Sequence, residues 1–304
     1  MYQERTFIDD LKHQFKNGEM TTKLIFINVA VFLFIQLIYV VERLFNFSTD
    51  FAQLFFTLET QLGLFIFKPW GLITSIFAHF GLIHFLMNMF FLYFSGKMFE
   101  QLFNGRTLLH TYVLGGIFGG ILEILAHLLF PALQNEHRVI VGASGSVMAV
   151  FSALAFYRPN LKVNLFGVFP IRIIFLAGFF ILTDIIALGT NDGTAHFAHI
   201  GGVILGFLSI QNLYQSNNII QMSMQFSDKI GKGINPLFKK RSKLKVSHKN
   251  TTRSAQFKSD EQFNLEKKQR QEKIDVILDK ISKSGYESLT KAEKDFLFQQ
   301  SNND

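Results

Sequence analysis

Six apolar runs, at roughly 22–42, 79–103, 108–130, 142–157, 168–189 and 195–213, decide what this chain can fold into. Their lengths approach the roughly 17–25 residues that cross a bilayer as helix. Inside lipid a helix satisfies its own backbone hydrogen bonds, which open strands cannot do. The expected fold class is therefore all-α, a polytopic membrane protein. A mean hydropathy of +0.24 with 37 phenylalanines agrees. There are no cysteines, which excludes disulfides, thiolate metal sites and a cysteine nucleophile. The first run has no Ala-x-Ala cleavage site, and the residues before it include Glu4, Asp9, Asp10 and Glu19. A retained anchor is expected rather than a cleaved signal or a presequence.

Lysine and arginine fix the expected orientation. Arg5, Lys12, Lys16 and Lys23 precede the first run; Lys97 and Arg106 flank the second-to-third connection; Arg158, Lys162 and Arg172 flank the fourth-to-fifth. A dense basic stretch follows the sixth. With six spans all four regions share one side, so both termini are expected in the cytoplasm of a bacterial inner (plasma) membrane. Between the first two runs, Phe51, Leu54, Phe55, Leu58 and Leu62 recur at helical spacing, which predicts one amphipathic helix in the interface, with Trp70 as an anchor.

Under this topology the second, fourth and sixth spans all enter from the non-cytoplasmic face, and their first turns carry polar residues at a common depth. The second opens with His79, His84 and Asn88, the fourth with Ser144 inside Gly142-Ala143-Ser144-Gly145, and the sixth with His196 and His199. Small residues mark close helix contacts. They form stripes at Gly145, Ala149 and Ala153 and at Ala198, Gly202 and Gly206. Pairing these faces brings Ser144 toward His199. A serine hydroxyl needs a base, and neutral imidazole is the usual one. An oxyanion needs donors, which the Ser144 N–H at a helix N-terminus and the His84/Asn88 pair, one turn apart, can supply. Asp192, four residues before His196, could pair with it or mimic the acid of a triad, though a cap on the sixth helix is the expected role. Asp184 and Glu123 are expected to find structural partners inside the bundle.

Three other functions fit parts of this pattern. Zinc could be held by His79, His84, His196, His199 and Asp192, but no HExxH accompanies them and Ser144 would be idle. A transporter would show repeated halves with broken helices, and none is seen. A non-catalytic membrane chaperone would need neither the serine nor the histidine.

His84-x-x-x-Asn88, Gly142-Ala143-Ser144-Gly145 and Ala198-His199-x-x-Gly202-x-x-x-Gly206, in this order, resemble the signatures of the rhomboid intramembrane serine proteases. Glu100 and Gly105-Arg106 resemble that family's short connection after the second span. The resemblance covers about residues 20–213. It implies a six-helix core and a Ser144–His199 dyad with no third carboxylate. It also implies an oxyanion site of Ser144 N–H, His84 and Asn88, with Gly142, Gly145, Gly202, Gly206, His79 and His196 in support. Cleavage of transmembrane protein substrates near the non-cytoplasmic face, with neither cofactor nor metal, follows from it. Met148 stands where some members have tyrosine, and Trp70-Gly71 where many have Trp-Arg.

The predicted organisation is an N-terminal segment 1–21, a membrane core 22–213, a basic flexible linker 214–265 and a helical hairpin 266–304. Lys239, Lys240, Arg241, Lys243, Lys245 and Lys249 suit anionic lipid, and nucleic acid is not an expected partner. Ile274, Ile277, Leu278 and Ile281 form a helical stripe ended by Gly285, and Thr290 with Glu293 predicts a capping box.

Overall fold

A computed structural model describes residues 6–47, 49–134, 137–165, 168–190, 192–238 and 260–301. The six apolar runs become helices α1 (Met20–Phe45), α2 (Leu82–Leu102), α3 (Gly105–Leu129), α4 (Ser144–Tyr157), α5 (Ile173–Ile186) and α6 (His196–Ile210). α1, α2 and α3 are long and apolar enough to cross a membrane, while α4, α5 and α6 are shorter apolar helices. At 14 residues, α4 rises about 21 Å, against a hydrocarbon layer of about 30 Å. α4 by itself is thus shorter than that layer.

Helix ends are closed by residues from neighbouring elements. Glu100, near the end of α2, accepts from Met20 N–H and Thr21 N–H at 2.8 Å each and from the Thr21 hydroxyl at 2.5 Å. It thereby caps α1, whose own preceding residue, Glu19, makes no side-chain cap. Asn104 caps α3 by accepting from Thr107 N–H. At the core, α4 is sandwiched by α3 and α6 through small residues. A Cβ on Gly202 would strike the Gly145 carbonyl oxygen, and one on Gly201 would lie 2.8 Å from Gly119 Cα. The expected pairing of the α4 and α6 stripes is what the structure has. Ala149, Ala153 and Leu205 are fully buried along this seam.

Three connections differ from expectation. The segment after α1 is not one amphipathic helix. A short helix, Phe51–Phe56, capped by Asp50, gives way to strand β1 (Leu58–Glu59) and a second short helix, Leu62–Phe65. Leu58 is fully buried because α3 has a glycine beneath it: a Cβ on Gly120 would sit 2.7 Å from Leu58 Cδ2. β1 pairs antiparallel with β2 (Val139–Ile140), Leu58 opposite Ile140 and Glu59 opposite Val139. The fifth helix begins at Ile173 rather than 168, because residues 169–172 form a strand. β3 (Lys162–Leu165) and β4 (Phe169–Arg172) make an antiparallel hairpin with Asn164 opposite Pro170. Proline lacks the N–H a helix interior needs and is tolerated at such an edge.

The region expected as linker contains α7 (Ile219–Phe238), and it is anchored. Asn218 accepts from Ile220 N–H and Gln221 N–H and donates to the carbonyls of Ser209 and Gln211, so one buried side chain closes the end of α6 and opens α7. Arg106 of α3 donates to the Met224 carbonyl at 3.2 Å and to Asp228 at 2.5 Å. The basic cluster Lys239–Lys249 lies outside the described residues.

The chain divides into two compact units, Met1–Lys239 and Lys240–Asp304. The second, where the sequence predicts a hairpin from residue 266, holds α8 (Asp260–Ser284) and α9 (Lys291–Ser301). Gly285 turns the chain at φ 78°. Thr290 N–H donates to Glu293 Oε2 at 2.7 Å, and Lys280 Nζ lies 3.0 Å from both Glu293 oxygens. These contacts, the Thr290 N–H first, hold the Glu293 carboxyl down, to about 2.

Candidate active site

The loop before α4 is fixed from three directions. Gly142 N–H donates to the Ser75 carbonyl at 3.0 Å, Thr60 N–H to the Arg138 carbonyl at 3.2 Å, and Ala143 N–H to His79 Nε2 at 3.3 Å. His79 is fully buried, so its role here is to hold the loop. Gly142 has φ +134°, which side chains rarely allow. A Cβ there would also lie 2.7 Å from His84 Cε1. Ala143, the residue before α4, provides no side-chain cap, so the first N–H groups of the helix, including that of Ser144, lack intrahelical partners. They can face an anion.

A cavity of about 870 Å³ opens beside this helix end, and Ser144, His199, His84, Asn88 and Asp184 all line it. Met148 lines it as well. Gly145 and Ala198, each one residue from Ser144 and His199, are in direct apposition: a Cβ on Gly145 would sit 3.1 Å from the Ala198 carbonyl oxygen. The Ser144 hydroxyl and His199 Nε2 are both without a hydrogen bond among the described residues, to each other or elsewhere. Asn88 Nδ2 donates to the His84 carbonyl at 3.0 Å, leaving its second N–H uncommitted. The His84 ring leans edge-on against His79, with centroids 5.3 Å apart.

The sixth helix is also held from outside. Its preceding residue is Ala195, which cannot cap, and Glu123 of α3 supplies the missing acceptor: its Oε2 takes the Ala198 N–H at 3.0 Å. This meets the expectation that Glu123 turns inward.

Asp184 goes further than expected. Its Oδ1 lies 2.8 Å from His199 Nδ1 and 2.7 Å from His196 Nδ1, and the other nitrogen of His196 is 3.0 Å from Asp192 Oδ2. The resemblance implied no third carboxylate, yet one stands against the His199 ring. Sequence reasoning saw that Asp184 must be paired but had no signal for its partner. Asp192 does not cap α6; it accepts from Thr194 N–H at 2.8 Å and faces His196. Its carboxyl is held below the usual carboxylate range, first by that N–H and then by His196. Asp184, His196 and His199 also form the cluster, among the described residues, whose donor atoms could hold a metal ion, all within 4.8 Å of one another. In the structure both imidazoles spend Nδ1 on the same carboxylate oxygen, an arrangement that hydrogen bonding accounts for in full.

A rhomboid-domain family profile matches residues 67–216, the stretch that holds every residue named above for this cavity. The chain belongs to the rhomboid family. A second profile, a family of unknown function, matches residues 258–303, which cover the hairpin. Among relatives of this rhomboid protein, RHOMBOID-like protein 6, mitochondrial, of Arabidopsis thaliana is 32% identical over 141 residues, 46% of this chain and 42% of its own. RHOMBOID-like protein 4 of the same plant is 31% identical over 50% of this chain and 37% of its own. Inactive RHOMBOID-like protein 8, also from Arabidopsis thaliana, is 32% identical over 44% of this chain and 35% of its own. The chain therefore spans about two fifths of the length of the relatives it matches.

Proposed function

We propose that this rhomboid-family protein is an intramembrane serine endopeptidase that cuts transmembrane protein substrates near the non-cytoplasmic face of a bacterial plasma membrane, with both termini cytoplasmic. The observation that carries the reading is a single one. A serine hydroxyl at an uncapped helix start and an imidazole with a free Nε2 line the same cavity, 55 residues apart in sequence. Family membership alone would not carry it, since one relative of comparable identity is named inactive. The orientation rests on the lysine and arginine placement of the loops.

In this mechanism Ser144 Oγ attacks the scissile carbonyl carbon while His199 Nε2 takes its proton. The carbonyl oxygen, now anionic, is met by the Ser144 N–H and by His84 and Asn88. His199 then returns the proton to the leaving amine, and water repeats the sequence on the acyl-enzyme with the roles reversed. The Ser144 hydroxyl and His199 Nε2 are not hydrogen-bonded in the resting site, so the mechanism requires them to close on each other when substrate binds, as apo catalytic contacts commonly do. Carbonyls of an intact substrate helix are already hydrogen-bonded, so the substrate must unwind locally at the cavity.

The test is labelling of the purified chain with a fluorophosphonate, beside cleavage of a transmembrane reporter. Labelling confined to Ser144, lost in Ser144→Ala and reduced at least about 10³-fold in His199→Ala, is expected. Activity that survives Ser144→Ala but falls to a chelator would replace this reading with a metal hydrolase. A folded chain that neither labels nor cleaves would favour a non-catalytic substrate-binding role.

A further inference from the structure

α5 is the most apolar of the six helices and carries one ionisable residue. Asp184 is buried, at 6% exposure, in a stretch reading Ile-Leu-Thr-Asp-Ile-Ile. A carboxylate at such a position is costly unless donors meet it. Here two donors do, and they are the two histidines of α6, one turn apart. The nearest other buried carboxylate, Glu123, is committed to Ala198 N–H. Asp184 is therefore the acid that faces His199.

Hydrogen-bond accounting fixes the protons. An ionised carboxylate oxygen only accepts, so His199 carries its proton on Nδ1 and keeps the Nε2 lone pair free, the tautomer that a base for Ser144 requires. His196 has carboxylates at both ring nitrogens, Asp184 at Nδ1 and Asp192 at Nε2. Asp192 is held below the ordinary carboxylate range, first by the Thr194 N–H, and so accepts at neutral pH. Both nitrogens of His196 must then donate, which makes it an imidazolium between two anions. The four groups carry a net charge of −1 at rest and zero once His199 has taken the serine proton. A cluster of that kind stabilises the ion pair that forms during attack more than the resting state, which is what lowers a barrier.

We propose that Asp184 is a positioning residue for the protease mechanism above. It holds His199 in the Nδ1–H tautomer with Nε2 toward Ser144, and His196 and Asp192 form an outer link that ties this hold to the loop before α6. The inference rests on the serine-protease reading, and it replaces a two-residue machinery with a carboxylate–imidazole chain that starts at the protein surface.

The experiment uses the full chain in detergent, with the parent, Ser144→Ala, Asp184→Asn and Asp184→Glu compared for reporter cleavage, and histidine ¹⁵N spectra recorded on the folded proteins. Asp184→Asn keeps shape but offers no anion and can turn its amide N–H toward His199. The expected result is a fall of about 10²–10⁴-fold in kcat with KM changed less than about threefold, by analogy with the loss when a triad aspartate becomes asparagine. Asp184→Glu, which retains the carboxylate, should recover a substantial part of the lost rate. The spectra should show His199 as Nδ1–H and His196 doubly protonated at pH 7 in the parent, with the His199 tautomer moved toward Nε2–H in Asp184→Asn. A purely structural Asp184 would change protein yield and melting but not the tautomer.

Parent-like kcat in Asp184→Asn, with Ser144 still labelled, overturns the inference and leaves the protease reading intact. Should Asp184→Asn fail to fold, the parent spectrum decides: a neutral His196 or an Nε2–H tautomer at His199 overturns it. Cleavage that is indifferent to Ser144→Ala removes the protease reading and this inference together.

Discussion

At the level of single residues, the proposed site depends on positions that carry none of its reacting groups. Gly142 is the sharpest case, because two constraints meet there. Its φ of +134° is a region that L-residues rarely adopt, and a Cβ would lie 2.7 Å from the His84 ring. Gly142→Ala should cost about 1–3 kcal/mol of stability from backbone strain. It should also push His84 out of the cavity, so kcat should fall by at least about tenfold, the order of losing one oxyanion donor being 10²–10³. Thermal unfolding in detergent and reporter cleavage together check it, and a variant with normal kcat would remove His84 from the oxyanion role. The residues legible from sequence were those with a chemical signature at a helix start: Ser144 between Gly142 and Gly145, and His199 on a small-residue stripe. Asp184 was legible only as a buried charge. Its partners lie 12 and 15 positions ahead across a loop, and no periodicity encodes which face of α5 meets α6. Glu123 capping α6 from another helix was hidden for the same reason. A missing cap at Ala195 can be seen in the sequence, but the residue that replaces it cannot.

Among elements, α5 stands apart. Phe175, Phe179, Leu182, Ile185 and Ile186 are all exposed, and only Ile173, Ala177 and Asp184 are buried. Its contact with the far side of the cavity runs through Phe180, whose ring meets Phe91 of α2 at 5.4 Å and Phe151 of α4 at 6.0 Å between centroids. α4 and α6, by contrast, are locked by backbone-to-backbone approach at Gly145 and Gly202. Asp184 ties α5 to α6, but the α2–α5 seam rests on an aromatic edge. Such an edge yields more readily than close glycine packing, so for the proposed protease substrate entry between α2 and α5 is the expected route. The absence of native cysteine makes this testable with an introduced pair, Phe91→Cys and Phe180→Cys, bridged by a short bis-maleimide. Bridging should abolish cleavage of a transmembrane reporter yet leave fluorophosphonate labelling within about threefold, since the small probe can reach the cavity from water. Equal loss of both would point to distortion of the site, and unimpaired cleavage would exclude this gate. The stripes that pair α4 with α6 were readable because glycine spacing reports close approach directly. The β1–β2 and β3–β4 pairings were not, since apolar residues in short strands such as Leu58 and Phe169 mimic the helical spacing of their surroundings.

Across the whole molecule, α7 extends the first unit past the last apolar run. The ion pair between Arg106 and Asp228 is about half exposed on both sides, and such pairs contribute roughly 0–1 kcal/mol. Burial matters more. Ile220 is fully buried and Met224 nearly so, and side chains of this kind contribute about 1.5–3 kcal/mol each when covered. Removing α7 should therefore cost the core about 3–6 kcal/mol, with the ion pair a minor part. Two truncations separate the consequences. A chain ending at Lys239 keeps α7 and loses the entire second unit, and its melting temperature in detergent and its rate of fluorophosphonate labelling should match the parent. A chain ending at Gln215 loses Asn218 as well, the side chain that closes α6 while it opens α7. Because His199 sits on the same helix as the Ser209 carbonyl that Asn218 holds, loosening that end should lower both melting temperature and labelling rate. Arg106→Ala in the full chain should reproduce only the small ionic share. If the shorter chain melts and labels like the parent, α7 is an adornment of the core.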